Sequence, residues 1–241
     1  MKHSIQLLVF AVLALSSQSL EASDSEIRDL KSFSGISVAA GVDATLIKGN
    51  ENSIEITVSG IELDKISSKV SGGVLKVSVE NGSWWQRFTK LGKRNVDVTI
   101  TYNGDLDYIS SSSGSRVHAD YTIVANDLEI KSSSGSNIDL DINAKDLEID
   151  LSSGSTINLS GEAEYTEIDL SSGSTLHAFD LDSKYVNVDG SSGSSAKIAV
   201  SYSLIADVSS GASVKYKGSP SDRDIDKSSG GSVKKVSKSN I

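Results

Sequence analysis

Four residues before the glycine of successive Ser-Ser-Gly triplets stand Asp150, Asp169, Asp189, Asp207 and Asp226. Two residues further upstream, Glu129, Glu148 and Glu167 hold another fixed place in the same pattern. Carboxylates in register suggest two chemistries. A ladder of them could bind Ca²⁺, which wants about six to eight oxygen ligands. The Gly-Gly-x-Gly-x-Asp nonapeptide of calcium-binding β-rolls is absent, so solvated aspartates are expected in place of a cation ladder. Paired carboxylates could also cleave glycosidic bonds, one as acid and the other as base or nucleophile. These acids repeat with the triplet, however, whereas an active site ordinarily interrupts a repeat with special residues.

Other reactive groups are few. His118 and His177 both lie four residues after a marker glycine and three copies apart. At one strand spacing per copy that is roughly 14 Å, too far to share a metal. Cysteine is absent, which excludes a disulfide framework, a thiolate metal site and a lipid-modified N-terminal Cys. No serine is singled out as a nucleophile, and neither a Ser/His triad nor a zinc hydrolase is supported. The expectation is no catalytic residue, no metal and no cofactor. One segment does break the pattern: NGSWWQRFTKLGKR, residues 81–94, carries Trp84, Trp85 and Arg87. These could stack on a sugar ring or dock a partner; the alternative is a hydrophobic flap against the flank of the fold.

What must position these groups is a repeat. The glycines Gly114, Gly135, Gly154, Gly173, Gly193, Gly211 and Gly230 recur at intervals of 21, 19, 19, 20, 18 and 19, too regular for a linker. Five residues before them stand Ile109, Ile130, Ile149, Ile168, Val188, Ala206 and Ile225; three after stand Val117, Ile138, Ile157, Leu176, Ala196, Val214 and Val233. The alternation continues outward with period two, the mark of strands with one buried face. A unit of this size cannot bury its apolar side alone. Stacked on its copies, each strand pairs in parallel with its neighbours at ~4.8 Å, giving a β-solenoid. The crossover preference of parallel strands makes a right-handed coil the expectation. Each glycine then supplies the backbone conformation of a recurrent corner, with Ser133/Ser134, Ser152/Ser153 and their equivalents stacked in columns.

Residues 23–105 lack the triplet but contain alternating runs such as NSIEITVSG and NVDVTITYNG. They are read as opening coils or an N-terminal cap of the solenoid, with a separate small β domain as the alternative. IELDKISSKV between them is either a short helix or an extended link. Residues 106–236 form the repeat region and 237–241 a tail. Residues 1–22, MKHSIQLLVFAVLALSSQSLEA, have the anatomy of a signal peptide cleaved after Ser19 or Ala22. Their apolar run is too short to span a bilayer, and no later segment could cross as a helix. The formal charge of -9 argues against nucleic acid as a partner. Lys215, Lys217, Arg223, Lys227, Lys234, Lys235 and Lys238 reverse the sign near the C-terminus, against three aspartates, and read as a solvated end cap.

FSGISVAAGVDATLIKG, GIELDKISSKVSGGVLKVSV, VDVTITYNGDLDYIS and LIADVSSGASVKYKGSP, in this order and spacing, resemble the head GIN domain family of secreted bacterial proteins labelled auto-transporter adhesins. The resemblance covers about residues 30–220. It implies an all-β, single-stranded right-handed parallel β-helix of the pectin-lyase-like kind. It supplies no catalytic residues. The family's usual turn is closer to Ser-Gly-Ser-Gly, whereas this chain has Ser-Ser-Gly-Ser, with a small residue kept at each place. No translocator barrel follows the last triplet, so export by the general secretory route is expected, to the periplasm, outer cell surface or beyond. The function expected is non-enzymatic: an adhesin or envelope protein with a repetitive acidic surface, its partner an unknown glycan or envelope protein. The alternative is a glycan-binding or glycan-cleaving module that uses Trp84, Trp85 and the outward carboxylates.

Overall fold

Strict alternation of apolar and polar residues buries one face of every strand and builds the protein. The computed structural model describes residues 23–80 and 94–236. In chain order the strands are β1 (Asp24–Asp29), β2 (Gly35–Val38), β3 (Asp43–Lys48), β4 (Ser53–Ser59), β5 (Ile66–Ser71), β6 (Val74–Val79), β7 (Asn95–Tyr102) and β8 (Tyr108–Ser111). There follow β9 (Arg116–Ser132), β10 (Asn137–Leu151), β11 (Thr156–Leu170), β12 (Thr175–Gly190), β13 (Ser195–Val208), β14 (Ser213–Lys217), β15 (Asp222–Lys227) and β16 (Ser232–Lys235). Strands β9 to β13 lie side by side in parallel, β14 and β15 add to β13, and β16 adds to β14. Equivalent residues pair, as in Ile138 with Ile157 and Ile149 with Ile168. The chain is an all-β solenoid of about seven turns.

The apolar columns fill its interior. Ile109, Ile130, Ile149, Ile168, Val188 and Ala206 are buried, as are Val117, Ile138, Ile157, Leu176, Ala196 and Val214. Ile225 and Val233, in the last described coil, are only partly covered. Each buried Ile or Leu is worth about 1.5–3 kcal/mol relative to exposure. Along β10 the inward set runs Ile138, Leu140, Ile142, Ala144 and then steps by three to Leu147, which marks a bend between two walls of the coil.

Residues before the first triplet continue the same sheet and core. β3 pairs in parallel with β7 and β9, and β2 with β6 and β8. The end is closed differently: β1–β4, β4–β7 and β5–β6 are antiparallel. Period two is common to both pairings and cannot distinguish them. IELDKISSKV becomes a three-residue 3-10 turn, Leu63–Lys65, followed by β5. Among the described residues no helix is long and apolar enough to cross a membrane. Trp84, Trp85 and Arg87 lie outside the described residues, as do residues 1–22 and 237–241.

The triplet turn departs from its expected form in two respects. Glycine does not carry the left-handed backbone alone: Ser153 has φ 53° and Gly154 φ 69°, and every copy repeats the pair. The Ser155 N–H donates back to the Ser152 carbonyl at 3.2 Å, so two central residues of positive φ close a turn of the type I′ kind. Secondly, the serine that stitches the coils together is the one after the glycine. Ser115, Ser136, Ser155, Ser174 and Ser194 are buried, and their hydroxyls donate to carbonyls of the preceding coil: Ser155 to Ser132 at 2.8 Å, Ser174 to Leu151 at 3.2 Å. Ala212 and Gly231 take this place in the last two turns; a Cβ on Gly231 would lie 1.9 Å from the Val208 oxygen. The glycine N–H points the other way, Gly135 to Ser153 O and Gly154 to Ser172 O at 3.1 and 3.0 Å.

Candidate functional site

Outward positions on the wall before each turn bring the repeated carboxylates together. Asp150, Asp169, Asp189, Asp207 and Asp226 are successive register partners, each one strand spacing, ~4.8 Å, from the next. Glu129, Glu148 and Glu167 form the neighbouring column, which continues with Asn187 and Ile205. Asp127 and Asp146 begin a third, which continues with Tyr165 and Tyr185. Asp222 and Asp224 add to these columns in the last coil.

One cation is built into this wall. Lys131 stands at the head of the aspartate column, paired in register with Asp150, and its Nζ lies 2.7 Å from Asp150 Oδ2 and 2.5 Å from Glu129 Oε1. These two carboxylates and Glu148 have oxygens within 4.8 Å of one another. A divalent ion could use the cluster only by displacing the ammonium, which already supplies the positive charge. Lys131 was legible in the sequence, four residues before Gly135, but its sign set it apart from the aspartates. Its own pKa is pushed up by hydrogen bonds to Asp150 and Glu129. Glu148 and Asp169 feel the Lys131 charge but are not ion-paired with it. Burial first, then the charges of Glu129 and Asp150, push the Glu148 carboxyl above the ordinary range; burial, then Asp150 and Asp189, do the same to Asp169. Like charges at this spacing repel, and protonation relieves them.

An aromatic ladder borders the acids. The rings of Tyr165 and Tyr185 stack at 4.9 Å and 13°, and Tyr202 tilts against Tyr185 at 5.1 Å. Tyr165 and Tyr202 are well exposed. A groove of about 580 Å³ runs between the tyrosines and Glu129, Glu148 and Glu167. The signal for the ladder was present at eight residues before Gly173 and Gly193; Tyr202 stands nine before Gly211 and falls out of that count. A wider groove, about 1200 Å³, follows the bend, with Ala144, Ala163 and Ser183 beneath it and Glu162, Asp182 and Lys184 along its sides.

His118 and His177 share one outward column, three register steps apart through Asp139 and Asn158. His118 finds partners the sequence did not suggest. Its Nε2 is 3.1 Å from Thr45 Oγ1 and its Nδ1 3.5 Å from Asp43 Oδ1, and Asp43 also faces Arg116 at 3.7 Å. The order Asp, His, hydroxyl resembles that of an activated nucleophile, but Asp43 Oδ1 and His118 Nδ1 are buried with no hydrogen bond to each other or to any other described group. None of the three lines either groove, however, and the cluster joins β3 to β9, the first strand of the repeats. His177 has its pKa lowered by burial and by Lys197.

The described residues form a β-solenoid whose outer walls repeat their side chains coil by coil and carry two open grooves. The family model described as "Putative auto-transporter adhesin, head GIN domain" matches residues 32–220, and the chain belongs to that family. Solved structures share the fold. A putative adhesin from Bacteroides fragilis superimposes with a TM-score of 0.79 at 19% identity, over 90% of this chain and 98% of its own. A putative adhesin from Parabacteroides merdae gives 0.65 at 17%, over 89% and 96%. A protein from Parabacteroides distasonis described as a putative lipid binding protein gives 0.66 at 16%, over 89% and 97%. No curated protein matches the chain in sequence.

Proposed function

We propose that this protein is an exported, non-enzymatic solenoid that adheres to a surface or envelope partner through its acidic wall. The single observation that carries this reading is the stacking of the aspartate column, with Asp169, Asp189, Asp207 and Asp226 exposed one above another. A partner with cationic groups would meet the same contact in each coil, so weak pairs add through repetition. The signal-like residues 1–22 support export to the periplasm, cell surface or medium. Solid-phase binding of the purified protein to cells or matrix proteins tests the reading. Asp169→Asn, Asp189→Asn and Asp207→Asn together should reduce binding at least about tenfold, with the melting temperature unharmed; undiminished binding refutes it.

A second reading, glycan binding, is favoured by the tyrosine ladder beside the Glu129, Glu148 and Glu167 column. Stacked rings offer mainly their edges and hydroxyls, so such a ligand would be held by hydrogen bonds more than by ring faces. On a glycan array, signal lost with Trp84→Ala and Trp85→Ala, or with Tyr165→Ala, would favour this reading over the first. The turn glycines Gly114, Gly135, Gly154, Gly173, Gly193, Gly211 and Gly230 serve the architecture in either case.

A further inference from the structure

The C-terminal coils separate charges that the sequence intermixes. Asp222, Asp224 and Asp226 stand on β15, in the columns of the acidic wall. Lys215 and Lys234 stand on β14 and β16, on the wall after the turn, in one column with Lys197. Most cations of the earlier coils are paired: Lys48 with Asp105, Lys69 with Glu80, Arg116 with Asp43, Lys131 with Asp150, Lys184 with Glu164. Among the described residues, no carboxylate is ion-paired with Lys197, Lys215 or Lys234, and no cation is ion-paired with Asp169, Asp189, Asp207 or Asp226, unlike Lys131 with Asp150 or Lys217 with Asp180. The chain therefore carries an unneutralised lysine column on one wall and an unneutralised aspartate column on another. Both repeat at the strand spacing of ~4.8 Å, so three consecutive lysines can face three consecutive aspartates without loss of register.

We propose that the lysine column Lys197–Lys215–Lys234 docks on the Asp169–Asp226 column of a second copy of this chain. The second copy is the partner of matching charge and matching period that the molecule itself supplies. Because the two columns are different patches, the contact is heterologous: each copy in a row keeps one column free for the next, and rows grow unless they close into a ring. Exposed ion pairs are individually weak and screened by salt, so the rows form at low ionic strength and high local concentration. This assembly is independent of which outside partner the acidic wall takes, although the two compete for the same aspartates.

Sedimentation velocity on the protein tests it. At about 20 mM salt the sedimentation coefficient should rise with concentration, and at about 0.5 M salt it should return to that of a monomer. Lys215→Glu with Lys234→Glu should be monomeric at low salt, as should Asp189→Lys with Asp207→Lys. Mixing these two variants should restore association, because each then offers the sign the other needs. All four side chains point to solvent, and circular dichroism checks that the variants remain folded. Wild-type protein that stays monomeric at low salt overturns the proposal. So does association that survives either charge reversal, or loss in both variants with no recovery on mixing. A monomer that instead binds dextran sulfate or phosphatidylglycerol vesicles through these lysines also overturns it, assigning the column to an external polyanion.

Discussion

Two glycines in the same coil should respond very differently to alanine. At Gly154, φ is +69° and an added Cβ meets nothing within 4 Å, so the left-handed backbone is the sole cost, about 1–2 kcal/mol. At Gly161, φ is +107° and an added Cβ would lie 2.0 Å from the carbonyl oxygen of Ile142, its register partner in the coil before. That oxygen belongs to the sheet and cannot swing aside. Gly161→Ala must combine a backbone conformation costing on the order of 1–3 kcal/mol with overpacking of about 1–3 kcal/mol, a total of about 2–6 kcal/mol. For a domain of this size each kcal/mol moves the melting temperature by roughly 2–4 °C. Urea denaturation followed by circular dichroism would measure both variants, with Gly154→Asn as a third, since Asn tolerates positive φ and should cost less than Ala. Equal midpoints for Gly154→Ala and Gly161→Ala would refute the close approach of the two coils. A Gly154→Val change costing no more than Gly154→Asn would refute the left-handed turn.

The hydroxyl ladder predicts that Ser155→Ala costs about 0.5–1.5 kcal/mol, the net worth of one buried hydrogen bond; the natural Ala212 shows that the methyl fits, so a much larger loss in urea midpoint would contradict the packing. The acidic wall predicts a pH dependence of definite sign. Glu148 and Asp169 have raised pKa values in the fold, against ordinary values of 4.5 and 3.8. Between those values and the raised ones the folded chain holds more protons than the unfolded, so these groups make stability rise as pH falls through that window and lowest above it. Glu148→Gln with Asp169→Asn should raise the urea midpoint at pH 7 and flatten this dependence; a lowered midpoint would count against repulsion. Lys131→Gln should lower the midpoint modestly, by less than about 1 kcal/mol because the pair is partly solvated, and the loss should disappear in high salt.

Legibility followed the range of the interaction. The apolar columns five before and three after each glycine were readable because one strand's alternation fixes which side chains point inward, whatever that strand pairs with. The carboxylate columns were readable for the same reason, as outward neighbours of inward residues. Contacts between residues far apart in the chain were not. His118 meets Asp43 and Thr45 across more than seventy positions, and no local pattern announces such a meeting. Which serine stitches the coils was not legible because Ser152, Ser153 and Ser155 are chemically alike, and only the path of the turn decides which hydroxyl faces the preceding coil.

By itself, then, the sequence determined a repeat, its strands, and the face each residue takes, since these depend on local steric preference and on the need to bury apolar side chains. Tertiary structure alone decided what lies next to what. It put Lys131 among the acids, laid the Ile142 carbonyl against Gly161, closed one end with antiparallel strands, and sent neighbouring lysines and aspartates of the last coils to separate walls. A coil returns the chain to the same place after some nineteen residues, so its closest contacts are made in space at one strand spacing and not along the sequence.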